Sequence, residues 1–319
     1  MQKIRHPFHI GVSARLNGSV HSPTFKRAIE MAMNDHPAYN PELIWANDQA
    51  SLEGGFNAAT QLRTSEVALV IGHYASAAAR GALPVYREAG IPLLLPAATA
   101  DGLTKDFSNA FRLCSSDTKL ANYMYRYLFP RYRDGKIAIL EDGSVHGHCL
   151  SGILRSWFAG MATPNIEADT TAIIFTGSYA NSIQFVEQCR REGCSLPVYL
   201  TDDVVHTDII NDLWEAAGEI FIFGYAAASS YPSAKAVTER YHALYGSYPQ
   251  TYFLQTYAAM QIAFACSVER GFGRAKIDRL TTGTWETVLG ETNFVNQECQ
   301  KEMFSLWKAS TAHGLYSLQ

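Results

Sequence analysis

Apolar positions along the chain fall into short runs separated by segments with helical spacing. FHIGVSARL, ELIWAND, VALVIGH and IPLLLPAAT read as strands. Between them, TFKRAIEMAMNDH places Ala28, Ile29, Ala32 and Met33 on one helical face, and GGFNAATQLRTSE and SAAARGALPVYREAG read as the next two helices. This βαβα order predicts a parallel sheet covered by helices on both faces. The order then restarts. Helices TKLANYMYRYLFPRY, CLSGILRSWFAGM and NSIQFVEQCRREG alternate with strands KIAILEDG, TAIIFTGSY and LPVYLTDD, and a further strand, GEIFIFGYA, follows. A long helix, YFLQTYAAMQIAFACSVERG, and a terminal hairpin within FSLWKASTAHGLYSL complete the chain. Two α/β units without a flexible tether predict two lobes facing each other across a cleft, where small-molecule sites usually form.

In open α/β sheets ligands bind beyond the carboxyl ends of the strands. That rule selects GHYAS and PAAT in the first unit, and EDGSVHG, TGSY and LTDD in the second. Ser76 falls in the first turn of a helix, whose unpaired N–H groups and partial positive charge suit a carboxylate; the same position also suits a plain helix cap. After Pro96, small residues let a ligand approach the backbone, and Thr99 adds a hydroxyl. In the second unit Tyr179 follows TGS, and Asp202 and Asp203 follow a strand. An acid there can pair with an ammonium group, or can cap the next helix.

Other constellations are weaker. His146, His148 and Cys149 match no common zinc spacing, so no metal site is expected. His73, three residues before Ser76, invites a hydrolase reading, but the G-x-S-x-G elbow is absent. No G-x-G-x-x-G or Walker A motif occurs, and no cofactor is expected.

Composition narrows the partners. A formal charge of -4 gives no reason to expect nucleic acid or an anionic membrane. No apolar run approaches the roughly 20 residues that span a bilayer, and Val67 to Ile71 reads as a buried strand. The opening MQKIRHPFHIGV enters a strand at once and lacks the apolar segment of a secretory signal. The six cysteines, at 114, 149, 189, 194, 266 and 299, form no C-x-x-C pair; Cys189 and Cys194 are five apart in VEQCRREGC. Their scatter suits free thiols and leans towards a reducing compartment.

With these segments in hand, the chain resembles type I periplasmic binding proteins, the leucine/isoleucine/valine-binding branch in particular. The resemblance is sharpest in VALVIGHYASAAARGALPVYREAGIPLLLPAATADGLT, residues 67–104, with further matches in GSY at 177–179 and QTYAAMQ at 255–261. It implies two Rossmann-like lobes with mostly parallel sheets joined by three hinge crossings: residues 1–117 with 226–300, and 118–225 with 301–319. It also implies that Ser76, Ala97 and Thr99 hold the α-carboxylate and α-ammonium of an amino acid. Tyr179 and Asp203 match the tyrosine and the acidic partner on the second lobe. His146 falls where the family often has a pocket aromatic, and Tyr74 and Tyr252 match positions lining the side-chain part of the pocket.

The sequence also departs from the family. Asp203 stands where branched-chain binders have Glu. The first loop, RLNGSVHSPTF, is about three residues shorter than the family's and lacks its tyrosine. Ala50 and Ala75 occupy the positions of the family's disulfide. The expected function is non-enzymatic capture of a small amino acid or carboxylate analogue for an ABC importer, with a membrane permease as partner and a periplasmic location. The alternative is a cytoplasmic amide or amino-acid sensor acting on a regulatory partner. A hydrolase or lyase on the same fold would rest on His73, Ser76 and the Asp pair.

Overall fold

The computed structural model describes residues 8–206, 208–213, 219–268, 274–301, 304–310 and 314–318. In chain order the first elements are β1 (His9–Ala14), α1 (His21–Asp35), β2 (Glu42–Asn47), α2 (Leu52–Thr64), β3 (Leu69–Gly72) and α3 (Ser76–Ala89). They are followed by β4 (Leu93–Leu95), α4 (Gly102–Lys105), β5 (Ala110–Arg112), α5 (Asp117–Tyr132), β6 (Lys136–Glu141) and α6 (Val145–Trp157). Next come β7 (Ala162–Thr163), β8 (Thr170–Thr176), α7 (Tyr179–Arg191), β9 (Val198–Leu200), α8 (Ile209–Asp212) and β10 (Ile220–Tyr225). The remainder holds α9 (Lys235–Tyr245), α10 (Phe253–Val268), α11 (Arg274–Thr282), β11 (Thr284–Thr287), β12 (Gly290–Val295), β13 (Glu298–Cys299), β14 (Phe304–Ser310) and β15 (Gly314–Ser317).

The chain divides into two compact units, Met1–Ser115 with Ala228–Glu302, and Ser116–Ala227 with Met303–Gln319. Among the described residues the first unit holds an eight-stranded sheet in the order β11-β12-β13-β5-β4-β3-β1-β2. Strands β2 to β13 in that order run parallel, and β12 and β11 close the edge antiparallel. The central strands are buried on both faces; all four residues of β3 are inaccessible, which is why they read as a continuous apolar run rather than an alternation. Helix α10 is largely apolar because most of it is buried, from Phe253 through Met260 to Phe264.

Two glycines let α2 and α3 lie against each other. A Cβ on Gly55 would collide with the Ala78 carbonyl, and one on Gly81 with the Leu52 carbonyl. The neighbours are backbone and have no rotamer to escape into. Gly55→Ala is therefore expected to lower stability by about 1–3 kcal/mol, read as a lower urea midpoint with an unchanged slope.

The second unit holds a seven-stranded sheet, β15-β14-β10-β9-β8-β6-β7, parallel from β7 to β10. The expected terminal hairpin is present as β14 and β15, antiparallel to each other and laid along β10. Its core gathers Leu120, Met124 and Leu128 of α5 with Ile137, Ile139, Leu150, Leu154 and Phe223. Periodicity does not report β5, β7, α4, α8, α9, α11 or the strands β11 to β13. Most are short, and β11 and β12 belong to an edge that alternates buried and exposed positions. No helix among the described residues is long and apolar enough to cross a membrane.

Candidate functional site

In the first unit, β3 leads through His73, Tyr74 and Ala75 into α3. The helix-capping position is Ala75, which has no side-chain oxygen, so the first turn of α3 carries no side-chain cap. Ser76 is thus not a cap. It is buried, and its Oγ accepts the Ala100 N–H at 3.3 Å. That bond joins the start of α3 to the loop after β4, where Ala97, Ala98, Thr99 and Ala100 are all buried.

The loop is held from below by Arg112, at the end of β5 and fully buried. Its guanidinium donates to the carbonyls of Ala98 (3.2 Å) and Ala100 (3.0 Å), to Thr104 Oγ1 (3.0 Å) and to Glu298 Oε1 (3.0 Å). Thr104 donates to the same Glu298 oxygen at 2.5 Å. One rigid fork therefore fixes two consecutive turns of loop backbone. A lone arginine among apolar neighbours in AFRLC was the only sign of it in the sequence.

Tyr74 and Tyr252 come together with His21 and Phe25. The Tyr74 ring meets Phe25 edge-on at 5.0 Å and Tyr252 at 5.7 Å, and Tyr252 meets His21 at 5.7 Å. Thr256 donates its hydroxyl proton to the Tyr252 carbonyl (2.8 Å), so the Tyr74 hydroxyl is the donor in its 2.5 Å bond to Thr256. Burial pushes the Tyr74 phenol well above its ordinary range, and it acts as a neutral group.

His73 has a different role from the one a hydrolase needs. Its Nδ1 lies 2.7 Å from Asp48 Oδ2 and 3.3 Å from Ser13 Oγ, and its Nε2 lies 3.2 Å from the Tyr86 hydroxyl. Both ring nitrogens are engaged within a fully buried cluster. The acid beside it is Asp48, on the same unit, rather than Asp202 or Asp203. The Ser76–His73 pair on which nucleophilic catalysis depends is not formed.

In the second unit, Tyr179 and Asp203 do come together. Asp203 Oδ2 accepts the Tyr179 N–H at 2.8 Å, so this carboxylate sits on the N-terminus of α7. A second acid stands beside it. Asp142 accepts the N–H of Ser178 (2.8 Å) and of Ser144 (2.9 Å), and the Asn181 amide (2.9 Å). Burial works against the Asp142 charge, but these hydrogen bonds outweigh it and hold the carboxyl below its usual range. The Tyr179 hydroxyl donates to Asp212 Oδ2 at 2.6 Å and its ring meets His206 at 5.9 Å; burial and Asp212 keep the phenol protonated far above its ordinary value.

His146, in the first turn of α6, lies between two buried acids. Its Nδ1 is 3.4 Å from Asp117 Oδ1, at the start of α5, and its Nε2 is 3.8 Å from Asp202 Oδ1. Burial disfavours its charge, but the hydrogen bond and charge of Asp117, with the charges of Asp202 and Asp203, push the imidazole up to about 10. An imidazole held at that value carries a proton at neutral pH. Asp117 was missed because SSDTK reads as an ordinary helix start, which it also is: Ser116 caps α5. His148 points elsewhere, its Nδ1 3.1 Å from Glu141 Oε1, and no metal-holding group of His, Cys, Asp or Glu occurs among the described residues.

Residues 7–161 match the model of the family described as periplasmic binding protein. The Leu/Ile/Val-binding protein homolog 2 of Brucella abortus is 24% identical over 318 residues, covering 89% of this chain and 85% of that protein. Among solved structures, the leucine-binding protein LivK of Thermotoga maritima superposes with a TM-score of 0.85 at 19% identity, covering 98% of both chains. The branched-chain amino acid substrate-binding protein LivJ of Streptococcus pneumoniae, in complex with isoleucine, gives 0.83 at 20% identity, covering 98% of this chain and 99% of that one. With two mostly parallel sheets in two units, the chain has the type I periplasmic-binding-protein fold and is similar along most of its length to the Leu/Ile/Val-binding proteins.

Proposed function

We propose that the chain captures a small amino acid, or a close carboxylate analogue, as the substrate-binding component of an ABC importer working with a membrane permease in the periplasm. The observation that carries this reading is a contrast between two helix starts. The N-terminus of α3 has no side-chain cap and no acid in its first turn, and Ser76 and Thr99 stand beside it; such a terminus suits a carboxylate. The N-terminus of α7 is already occupied by the carboxylates of Asp203 and Asp142, and repels an anion while attracting an ammonium group. The two helix starts are complementary to the two charges of an amino acid. Tyr74, Tyr252 and Ala97 on the first unit, with Tyr179 and His146 on the second, complete the set of ligand-contacting residues. The names of the relatives support the same ligand class.

Calorimetry after a thermal-shift screen of amino acids, their amides and aromatic acids tests the reading. Ser76→Ala, Thr99→Ala and Asp203→Asn are each expected to weaken binding by about 1–3 kcal/mol. The asparagine keeps an acceptor for the Tyr179 N–H and removes only the charge. Unchanged affinity in all three variants rejects the assignment. A second reading, a cytoplasmic amino-acid sensor, is favoured by one observation: Cys189 and Cys194, close in sequence and joined by a backbone hydrogen bond, are both free thiols. Fractionation of cells expressing the full gene separates the two, since recovery in the periplasm excludes the sensor.

A further inference from the structure

Helix α7 ends in a motif that places two thiols together. The helix cap is Glu192, and Gly193 follows in the left-handed region at φ 83°. The Gly193 N–H donates to the Arg190 carbonyl at 3.0 Å, and the Cys194 N–H donates to the Cys189 carbonyl at 3.1 Å. Those are the two bonds of a Schellman ending, in which the residue after the glycine folds back onto the residue three before the cap. That contact is usually between two apolar side chains; here the backbone bond brings Cys194 back against Cys189. Arg190 fixes the return of the chain by donating to the carbonyls of Cys194 (2.8 Å) and Leu196 (2.9 Å). Cys189 is buried and Cys194 half-buried.

We propose that Cys189 and Cys194 are a modification site: a dithiol that a disulfide-type oxidant, such as glutathione disulfide, converts to an intramolecular disulfide closing the end of α7. Burial, and then the neighbouring Cys194, push the Cys189 thiol up to about 12, so Cys189 keeps its proton and the more accessible, half-buried Cys194 sulfur is the one that attacks. Cys194, as thiolate, displaces one glutathione from the oxidant and forms a mixed disulfide. The Cys189 sulfur then attacks the Cys194 sulfur, its proton leaving with the second glutathione. Two protein S–H bonds are lost, one S–S bond forms, and glutathione disulfide is reduced to two glutathione molecules. The site is independent of the ligand-binding reading, since it lies at the opposite end of α7 from Tyr179 and Asp203.

The test treats the folded chain with glutathione disulfide, blocks remaining thiols by alkylation, and maps trypsin fragments by mass with and without reductant. Cleavage at Arg190 and Arg191 falls between the two cysteines, so their fragments stay together only through the new bond. The expected result is a Cys189–Cys194 linked pair that separates on reduction, with no glutathione adduct on either. Cys189→Ser should instead accumulate a stable glutathione adduct at Cys194. A persistent adduct at Cys194 in the unsubstituted chain, or both thiols still open to alkylation under conditions that oxidise a short dithiol peptide, overturns the proposal.

Discussion

Arg112→Met is expected to destabilise the first unit by about 3–5 kcal/mol, the range for removing one partner of a buried ion pair. The side chain is fully buried and has four acceptors, two of them carbonyls of the loop that carries Thr99. Methionine fills much of the volume but leaves Glu298 without its cation, and the Glu298 Oε2 atom is already buried without a hydrogen-bond partner. Arg112→Lys keeps the charge and still loses most of the effect, because a single ammonium cannot span acceptors on Ala98, Ala100, Thr104 and Glu298. Urea unfolding measures the loss. In the lysine variant, a fall in ligand affinity larger than its fall in stability would mark Arg112 as the residue that positions the loop. Full stability in both variants would show that the loop holds its shape unaided.

His146 gives a pH dependence of the second unit. Its folded value, about 10, lies above the ordinary value of 6.5, so the folded state binds the proton more tightly than the unfolded chain. The stabilisation is complete below about pH 6.5 and is lost as pH rises from there through 10. At about 1.4 kcal/mol per unit, a shift of this size amounts to a few kcal/mol for a side chain that is 19% exposed. The difference in unfolding free energy between the parent chain and His146→Gln should therefore shrink steadily between pH 7 and pH 10. A constant difference over that interval would mean that the imidazole is neutral and that Asp117 and Asp202 carry no proton-linked stabilisation.

The parts of this molecule that declare themselves in sequence are those fixed by local chemistry. β3 and β4 are apolar runs because both faces are covered, and α10 is largely apolar because most of its surface is buried. Ser76, Thr99, Tyr179 and Asp203 stand out in the sequence because each sits just past the end of a strand. The residues that were missed act across long separations. Arg112 and Glu298 meet over 186 positions, and Tyr74 and Thr256 over 182; no periodicity reports such a pairing. Asp117 looks like a helix start because it is one, and Asp142 looks like an ordinary turn residue between β6 and α6; their partners His146 and Ser178 come from other strand–helix junctions. The charge of His146 is not legible for the same reason: it is set by neighbours that the sequence does not place beside it.

Asp142 carries a consequence for the way the second unit loosens. One carboxylate holds the N–H of Ser144, just before α6, and that of Ser178, just before α7. Neither helix start can fray without withdrawing a bond from the group that steadies the other. The two starts therefore behave as one cooperative segment, and a fluctuation that opens the turn below Tyr179 reaches the turn that carries His146 through a single side chain.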